Sequence, residues 1–298
     1  TSIYTLIAFL ERKWGVHFPI GGTGALIKGL CGLVEHLGGS VECDAEVRRI
    51  LVEKGVAKGV VLASGEVLRS DVVVSNADSA WTYRHLVDPK DRPSWSDRRI
   101  ERARYSMGLF VWYFGTKKLY PDVAHHTIIL GPRYEALLDD IFEKHVLAED
   151  FSLYLHRPTA TDPSLAPAGH DGFYVLSPVP NLESGTNWLD QAEPYRAKIE
   201  RFLDRTVLPG LSASLVTSRV THPLEFQDRL LSFRGAAFGL EPRLTQSAYF
   251  RPHNQSEDIQ HLYLVGAGTH PGAGMPGVIS SARVLDSIVP SPSVFRRV

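Results

Sequence analysis

The chain has 298 residues, of which 44% are hydrophobic and 22% are charged, an ordinary mixture for a globular protein. A net charge of −1 without an extended basic stripe removes the usual electrostatic basis for binding nucleic acid. No run of about eighteen apolar residues is present, so no helix is expected to span a bilayer, although the chain can still lie on one. The histidines show no metal-ligand spacing, and neither do Cys31 and Cys43, so we expect no metal site and reduced thiols.

An amphipathic segment opens the chain, which starts at Thr1 without an initiator methionine or a signal-peptide pattern. We expect a chain entered in mid-protein, in which residues 1–14 form an amphipathic helix. Its apolar residues include Ile3, Leu6, Ile7, Leu10 and Trp14.

A second amphipathic helix is predicted after Pro19–Gly24, and Gly38-Gly39 ends it. Its apolar face consists of Leu26, Leu30, Leu33 and Leu37. The Gly22-x-Gly24 spacing is similar to that of a phosphate loop, but Ile27 stands at the third glycine position. A turn that lets the helix pack closely is therefore favoured.

β-Rich segments separated by turn residues follow over 46–52, 56–63 and 67–68. That spacing predicts an antiparallel meander. Asp71–Ser75 is apolar enough to predict a strand buried on both faces, and it ends in Asn76-Ala77-Asp78.

Residues 81–254 are predicted to form an insert of strands and helices. Strands are expected over 109–114, 151–155 and 173–176, and helices near 133–145 and 191–206. For the apolar stripe Leu109–Phe114, an ordinary buried core is favoured over the wall of an apolar ligand channel.

Near the carboxy terminus, a short apolar strand, His261–Val265, runs into the glycine-rich segment 266–277 and then into a helix. The helix positions that share one apolar face before Pro290 are Val278, Ala282, Leu285 and Val289. Glycine lets a ligand approach the backbone, and the unpaired N–H groups and dipole of a helix N-terminus favour an electron-rich or anionic group. This segment therefore predicts a cofactor site.

Gly272, Gly274 and Gly277 have the spacing G-x-G-x-x-G, which is typical of dinucleotide-binding folds. Such a motif opens a βαβ unit with an acidic residue about twenty positions later. Only twenty-one residues follow Gly277, and they contain neither an alternating strand nor an acidic residue at that distance. The glycine helix is thus expected to close a fold rather than to open one.

Several short strings of the sequence resemble those of the flavin amine-oxidase-like family, and within it the bacterial-type carotenoid desaturases. They are residues 19–26, 75–78, 124–127, 131–134, 148–156, 244–248 and 265–274. The resemblance covers nearly the whole chain. It implies an α/β fold with an α+β insert, the carboxy-terminal part of a two-domain FAD-binding Rossmann-like flavoprotein with a mixed-sheet and helix substrate domain.

The implied domains are a split, incomplete FAD-binding domain of residues 15–80 and 255–298 and a substrate-binding domain of residues 81–254. Residues 1–14 are implied to form a helix of the substrate or membrane region, with Ile3, Leu6, Ile7, Leu10 and Trp14 as its predicted docking surface. The implied chemistry is FAD-dependent insertion of double bonds into a long polyene hydrocarbon, converting phytoene to lycopene by hydride transfer to the flavin and loss of a proton. A quinone or oxygen would accept the electrons at the cytoplasmic side of a membrane, to which the protein binds peripherally. The alternatives are a flavin-dependent carotene isomerase, a desaturase of another polyene and a non-catalytic lipid-binding fragment.

The resemblance also assigns cofactor-binding residues. Val47 matches a backbone position at the adenine, and Asn76 and Ala77 match the strand-end loop beside the cofactor. Gly266, Ala267 and Gly268 match the strand end at the pyrophosphate and ribityl chain. The helix start below the isoalloxazine ring is matched by Gly274, Met275, Pro276, Gly277 and Val278.

Two departures from the family pattern affect this site. Ala267 stands where many relatives carry an acidic residue, and the family's amino-terminal Gly-x-Gly-x-x-Gly unit is absent, so we expect this chain to hold at most half of the FAD site. His270 is the candidate catalytic proton acceptor, with loop bracing as the alternative. For His125-His126 at a strand start, a surface or capping role is as well supported as catalysis.

Overall fold

The computed structural model of the chain describes residues 2–295, with the side chains of residues 2–7 and 248 outside that description. The helices are α1 (Ser2–Trp14), α2 (Gly22–His36), α3 (Ser79–Trp81), α4 (Asp97–Arg102), α5 (Tyr134–Phe142), α6 (Trp188–Arg205), α7 (Leu211–Ser214), α8 (Pro223–Leu230) and α9 (Met275–Ile288). The strands are β1 (Val47–Glu53), β2 (Val56–Leu62), β3 (Val67–Arg69), β4 (Val73–Ser75), β5 (Gly108–Thr116), β6 (His126–Ile129), β7 (Leu153–His156), β8 (Asp171–Val179), β9 (Leu215–Thr221) and β10 (Leu262–Leu264). In the predicted docking surface of α1, Ile3, Leu6 and Ile7 lie outside the described side chains.

Strands from the two ends of the sequence meet in the part of the fold that carries the glycine-rich loop. The predicted meander β1-β2-β3 forms an antiparallel sheet, and β4 pairs in parallel with β10, so that Ser75 lies opposite Leu264. The main-chain N–H of Ala57 in β2 donates to the carbonyl of Gln260, 2.8 Å away, just before β10. The meander, β4 and β10 are therefore held together.

An antiparallel sheet of order β6-β7-β8-β5-β9 forms the centre of the insert. Alternate side chains of β5, those of Phe110, Trp112 and Phe114, are buried on one face of this sheet. Helix α6 covers that face, and its Tyr195 ring meets the Phe110 ring edge-on at a centroid distance of 4.9 Å. The helix starts at Trp188 because the side chain of Asn187 caps the N–H of Leu189 at 3.2 Å.

The helix predicted after Pro19–Gly24 forms, but its apolar face is exposed. Gly21 precedes it in a left-handed conformation, φ 84°, and its N–H donates to the Asp162 carboxylate 2.7 Å away. Leu33, in the middle of the face, is 51% exposed. Within the described part of the chain no residue of α2 is buried. The expectation of close packing by this helix is not met, because periodicity specifies a face without specifying an element to cover it.

Two other burial predictions are wrong. Val74 in β4 is 46% exposed, so this strand is buried on one face only. On α9 the fully buried position is Ser281, and Ala282, predicted on the inner face, is exposed. The helix is rotated because the Ser281 hydroxyl accepts a hydrogen bond from the N–H of Gly266 at 2.8 Å.

Strands β6 and β9 are absent from the sequence prediction. Both lie at the edges of the five-stranded sheet. Their side chains are half-buried or exposed throughout, so they lack the apolar run or alternation by which buried strands are identified.

Candidate functional site

The strand ends of β4 and β10 lie side by side at the start of the glycine-rich loop. Because these strands are parallel, the segments that leave them, Asn76-Ala77 and Gly266–Gly268, emerge at the same edge. The N–H of Val265 donates to the carbonyl of Ser75 at 3.0 Å and continues the pairing to the last residue before the loop. These predicted cofactor-binding residues are thus neighbours.

Gly266 and Gly268 fit closely against the turn that follows β4. A Cβ on Gly266, where φ is 102°, would lie 2.6 Å from Asn76 Oδ1. A Cβ on Gly268 would lie 2.6 Å from Ser79 Oγ, and this hydroxyl donates to the Gly268 carbonyl at 3.2 Å. Glycine is therefore favoured at both positions, most strongly at Gly266, where φ is also positive.

The helix α9 begins in a more open setting. Gly274 precedes it with φ 93°, and among the described side chains none caps this helix start. A Cβ on Gly274 would meet no described atom within 4 Å, whereas a Cβ on Gly277 would lie 2.7 Å from the carbonyl oxygen of Gly272. Gly274, Met275 and Pro276 are all exposed. An uncapped, accessible helix N-terminus can receive an anionic or electron-rich group.

A buried arginine, Arg251, holds the glycine-rich loop by hydrogen bonds to main-chain carbonyls. The Nη2 group of Arg251 donates to the carbonyls of Ala267 at 2.6 Å and Phe238 at 3.2 Å. Burial lowers the pKa of Arg251, while the charge of Asp78 acts in the opposite direction. Burial likewise raises the pKa of the Asp78 carboxyl, which accepts a hydrogen bond from the N–H of Trp81 at 2.9 Å. Arg251 and Asp78 thus place a basic and an acidic side chain close to the glycine-rich loop.

Sequence reasoning missed Arg251 and Ser281, both of which hold the loop. Arg251 bonds to main-chain carbonyls, for which no motif exists. Ser281 carries a detectable signal, since it is a small polar residue within one turn of Val278 and Leu285 on the helix face that packs inward.

His270 is exposed in the glycine-rich loop. Its carbonyl accepts from Asn254 Nδ2 at 2.9 Å, and the neighbouring Thr269 hydroxyl donates to the Pro252 carbonyl at 2.6 Å. The side chains of Asn254 and Thr269 thus anchor the loop to residues 252–254. The catalytic role of His270 stays a prediction.

Val47 lies apart from the loop contacts just described. It is half-buried at the start of β1, opposite Leu62 in β2. The connection from the meander to the loop passes through Gly55, whose carbonyl accepts from Gln260 N–H at 2.9 Å. Its assignment to the cofactor's adenine stays a prediction.

Apart from Tyr113, the stripe Leu109–Phe114 is buried, as expected for an ordinary core, and its alternative role as the wall of a ligand channel stays a prediction. Phe110, Trp112 and Phe114 are core, but Tyr113 points to the other face of the sheet and is exposed. There its ring contacts that of Tyr174, which contacts that of Tyr154, both at centroid distances of 5.8 Å. We call Tyr113, Tyr154 and Tyr174 the tyrosine face; it presents an apolar, partly open surface.

The described residues of the loop fit the predicted flavin. The open space at Gly274 and the uncapped start of α9 leave room and N–H donors for an electron-rich ring system, and the close contact of Gly266 with Asn76 holds the two strand ends together. Within residues 2–295, no helix combines the length and the apolarity needed to cross a membrane.

Comparison with known proteins identifies close relatives of this chain. It is 51% identical over 302 residues to "Phytoene desaturase (neurosporene-forming)" of Cereibacter sphaeroides, a match that covers 100% of this chain and 58% of the relative. It is 49% identical over 290 residues to "Phytoene desaturase (lycopene-forming)" of Pseudescherichia vulneris, covering 97% of this chain and 59% of the relative. The chain therefore spans somewhat more than half the length of these relatives.

Solved structures share the fold. An oxidoreductase from Methanosarcina mazei superposes with a TM-score of 0.64 at 19% identity, covering 93% of this chain and 57% of that one. A putrescine oxidase double mutant gives a TM-score of 0.58 at 12% identity, covering 91% of this chain and 53% of that one. These likenesses confirm the predicted fold class.

A family model described as flavin containing amine oxidoreductase matches residues 1–284. The match supports the flavin predicted from the sequence, FAD, as the cofactor. It also confirms the resemblance on which the site residues were assigned. The chain belongs to the flavin-containing amine oxidoreductase family.

Proposed function

We propose that the complete protein is an FAD-dependent carotenoid desaturase that acts on phytoene. The observation that carries this proposal is the loop from β10 to α9, where an uncapped helix N-terminus opens next to two paired strand ends. The substrate class is supported by relatives at 51% and 49% identity that are named phytoene desaturases.

The chain's own residues would hold the cofactor in three groups. Val47 would contribute backbone at the adenine, Asn76 and Ala77 would lie in the strand-end loop beside the cofactor, and Gly266, Ala267 and Gly268 would line the pyrophosphate and ribityl chain. The N-terminus of α9, Gly274 to Val278, lies below the ring, where its N–H groups and dipole favour electron-rich atoms. FAD, when bound, supplies the hydride acceptor for the oxidation of a carbon–carbon single bond.

The tyrosine face is the proposed contact surface for the hydrocarbon. A polyene has no hydrogen-bonding groups, so its binding depends on apolar area removed from water, and aromatic rings supply much of it. Tyr113, Tyr154 and Tyr174 stand on adjacent strands of one sheet and together offer such an area.

His270 is the proposed acceptor for the proton that leaves the substrate. It is exposed in the loop that precedes α9. Imidazole accepts and releases protons near neutral pH, which suits this role. Its test is a His270→Gln substitution, which should lower the turnover rate while bound flavin stays constant.

The complete protein is further proposed to bind peripherally to the cytoplasmic side of a membrane and to pass electrons to a quinone or oxygen. A long hydrocarbon dissolves in the bilayer and not in water, so an enzyme that uses it must reach the membrane surface. The product is lycopene in our proposal, with neurosporene as the alternative because one relative carries that product in its name.

The test uses what we call the completed protein, these 298 residues joined to the part of the Cereibacter sphaeroides relative that they do not match. Phytoene is supplied in vesicles with a quinone, and products are separated by chromatography. We expect a red-shifted polyene and one molecule of quinone reduced for each double bond formed. A change of isomer without reduction of quinone would replace the desaturase by an isomerase, and tight lipid binding with no chemistry would favour a carrier.

A further inference from the structure

Three histidines, two of them adjacent in the sequence and one thirty residues later, meet at one edge of the five-stranded sheet. His126 in β6 and His156 in β7 are directly opposite each other in the strand register, and His125 immediately precedes β6. One ring nitrogen from each lies within 4.8 Å of the others. The Nε2 atoms of His125 and His156 are 2.8 Å apart. We call His125, His126 and His156 the histidine cluster.

Neighbouring hydroxyl groups orient two of the rings. His125 Nδ1 pairs with Thr161 Oγ1, and His126 Nδ1 pairs with Tyr154 Oη at 2.6 Å. Each of these rings keeps its Nε2 for a partner other than the hydroxyl. Hydrogen bonds of this kind fix the orientation of histidines that ligate metals.

His156 is the most buried member, and its Nδ1 has no hydrogen-bond partner among the described residues. A buried polar nitrogen without a partner costs free energy. In the Nε2 contact between His125 and His156, only one nitrogen can donate a proton, because two N–H groups would collide there. The cluster therefore contains imidazole lone pairs that accept no hydrogen bond from the described residues, and such lone pairs can bind a metal ion.

The backbone beneath the cluster is held by a buried ion pair. The N–H of Arg157 donates to the carbonyl of His125 at 2.8 Å, which locks the start of β6 to the end of β7. The Arg157 guanidinium lies 3.2 Å from the Asp171 carboxylate and also donates to the carbonyl of Val123 at 2.6 Å. Asp171 forms its ion pair with Arg157 and is not one of the grouped ligands. The groups available to a metal ion in this cluster are therefore the three imidazoles.

We propose that His125, His126 and His156 bind a divalent transition-metal ion of the Zn²⁺ class, with water as a fourth ligand. Imidazole nitrogens suit Zn²⁺, Co²⁺, Ni²⁺ and Cu²⁺, whereas Mg²⁺ and Ca²⁺ require oxygen ligands. Zn–N bonds of about 2.0–2.1 Å in a tetrahedron place the nitrogens about 3.3 Å apart. The 2.8 Å pair must open slightly and the more distant nitrogen must approach, which rotation of the exposed His126 side chain provides.

The position of the site indicates a structural role for the ion. The ring of Phe18, from the segment between α1 and α2, packs edge-on against His125 at a centroid distance of 4.7 Å. Edge strand β6 buries little apolar surface of its own. An ion bound across β6 and β7 would stabilise this edge and the segment packed on it, in the way that structural zinc contributes to folding.

The experiment titrates the chelator-treated 298-residue chain with Zn²⁺ against a chromophoric chelator, and separately with Co²⁺ while its visible absorption is recorded. We expect one equivalent of tight binding and the intense visible bands of tetrahedral Co²⁺. His125→Gln, His126→Gln and His156→Gln should each weaken binding by about tenfold or more, at least as much as the loss of a group that only orients a ligand. The matched control is His36→Gln, an exposed histidine at the end of α2, which should bind as the parent does.

Circular dichroism of each variant separates loss of a ligand from loss of the fold. His126 is exposed, so its substitution leaves the fold intact even if that of the buried His156 does not. Absence of stoichiometric binding by the folded parent chain would overturn the proposal. Binding that persists unchanged in folded His126→Gln and His125→Gln would equally overturn it, because the ion would then be held elsewhere.

Discussion

Gly274 and Gly277 lie three residues apart at the start of α9, yet their surroundings differ. A Cβ on Gly277 would collide with the main chain of Gly272, whereas a Cβ on Gly274 would meet no described atom within 4 Å. Packing within the chain therefore accounts for Gly277. At Gly274 the backbone has a positive φ of 93° and is open, which fits a position that faces a ligand.

Gly274→Ala in the completed protein should reduce its affinity for FAD by about tenfold, or ~1.4 kcal/mol. The added methyl group occupies the open side of the loop, and the backbone of Gly274, with φ 93° and ψ 145°, lies in a region that costs a non-glycine residue about 1–3 kcal/mol, which displaces the helix start. Bound flavin per folded molecule, measured by absorbance after dialysis, and the melting temperature are determined on the same preparation.

Gly65→Ala is the matched control for this substitution. Gly65 lies in the turn between β2 and β3 with φ 91°, close to the 93° of Gly274, and its Cβ would also meet no described atom within 4 Å. Both variants should lose similar stability, but only Gly274→Ala should lose flavin. Equal flavin loss in the two variants would mean that backbone strain, and not contact with the cofactor, explains Gly274.

At the scale of elements, the sequence predicts those that bury apolar side chains in a regular pattern. The meander, β5, β7, β8, α5 and α6 all form where apolar spacing places them. Strands β6 and β9 escape prediction because an edge strand with half-exposed side chains has no such pattern. The histidine cluster could not be predicted either, because its geometry depends on the register between β6 and β7 and not on spacing along the chain.

The orientation of α9 depends on Ser281, which no motif marks. Its hydroxyl accepts from the buried Gly266 N–H at 2.8 Å and thereby joins the helix to the end of β10. Ser281→Ala should lower the free energy of unfolding by about 1–3 kcal/mol, because it leaves a buried N–H without a partner. Chemical denaturation of the completed protein measures this loss.

The same helix supplies a control at Ser287. Its hydroxyl donates to the Val284 carbonyl at 2.8 Å, three residues back, as that of Ser281 donates to Val278. Ser287 is exposed and contacts no strand end, so Ser287→Ala should change stability by less than about 0.5 kcal/mol. A loss at Ser281 no larger than at Ser287 would show that the contact with Gly266 does not position the helix.

At the scale of the whole molecule, amphipathic patterns and burial diverge. Helix α2 has the apolar spacing of a core helix, and β4 has that of a strand buried on both faces, yet both leave apolar residues exposed in the described chain. Periodicity identifies which side chains share a face, and burial then depends on which elements pack there. The chain spans 58% of the length of its Cereibacter sphaeroides relative.

The end of α1 carries the described part of the surface predicted to meet a membrane, which is Leu10 and Trp14. Trp14 is 58% exposed, Phe9, which the sequence prediction did not include, is 53% exposed, and the last turn of the helix is basic, with Arg12 and Lys13. Exposed aromatic rings beside positive charges favour the interface of an anionic bilayer. The completed protein should therefore float with vesicles in a density gradient, and more completely when the vesicles contain phosphatidylglycerol as well as phosphatidylcholine.

Replacing both Phe9 and Trp14 with serine should reduce the bound fraction by about tenfold or more, because burying each ring in the interface contributes about 1.5–3 kcal/mol. Leu189→Ser combined with Leu244→Ser is the control, since these residues are 78% and 87% exposed and lie on other elements. That pair should float as the parent does. If the parent stays at the bottom of the gradient with both kinds of vesicle, or if the control pair loses binding equally, the end of α1 is not the surface that binds the membrane.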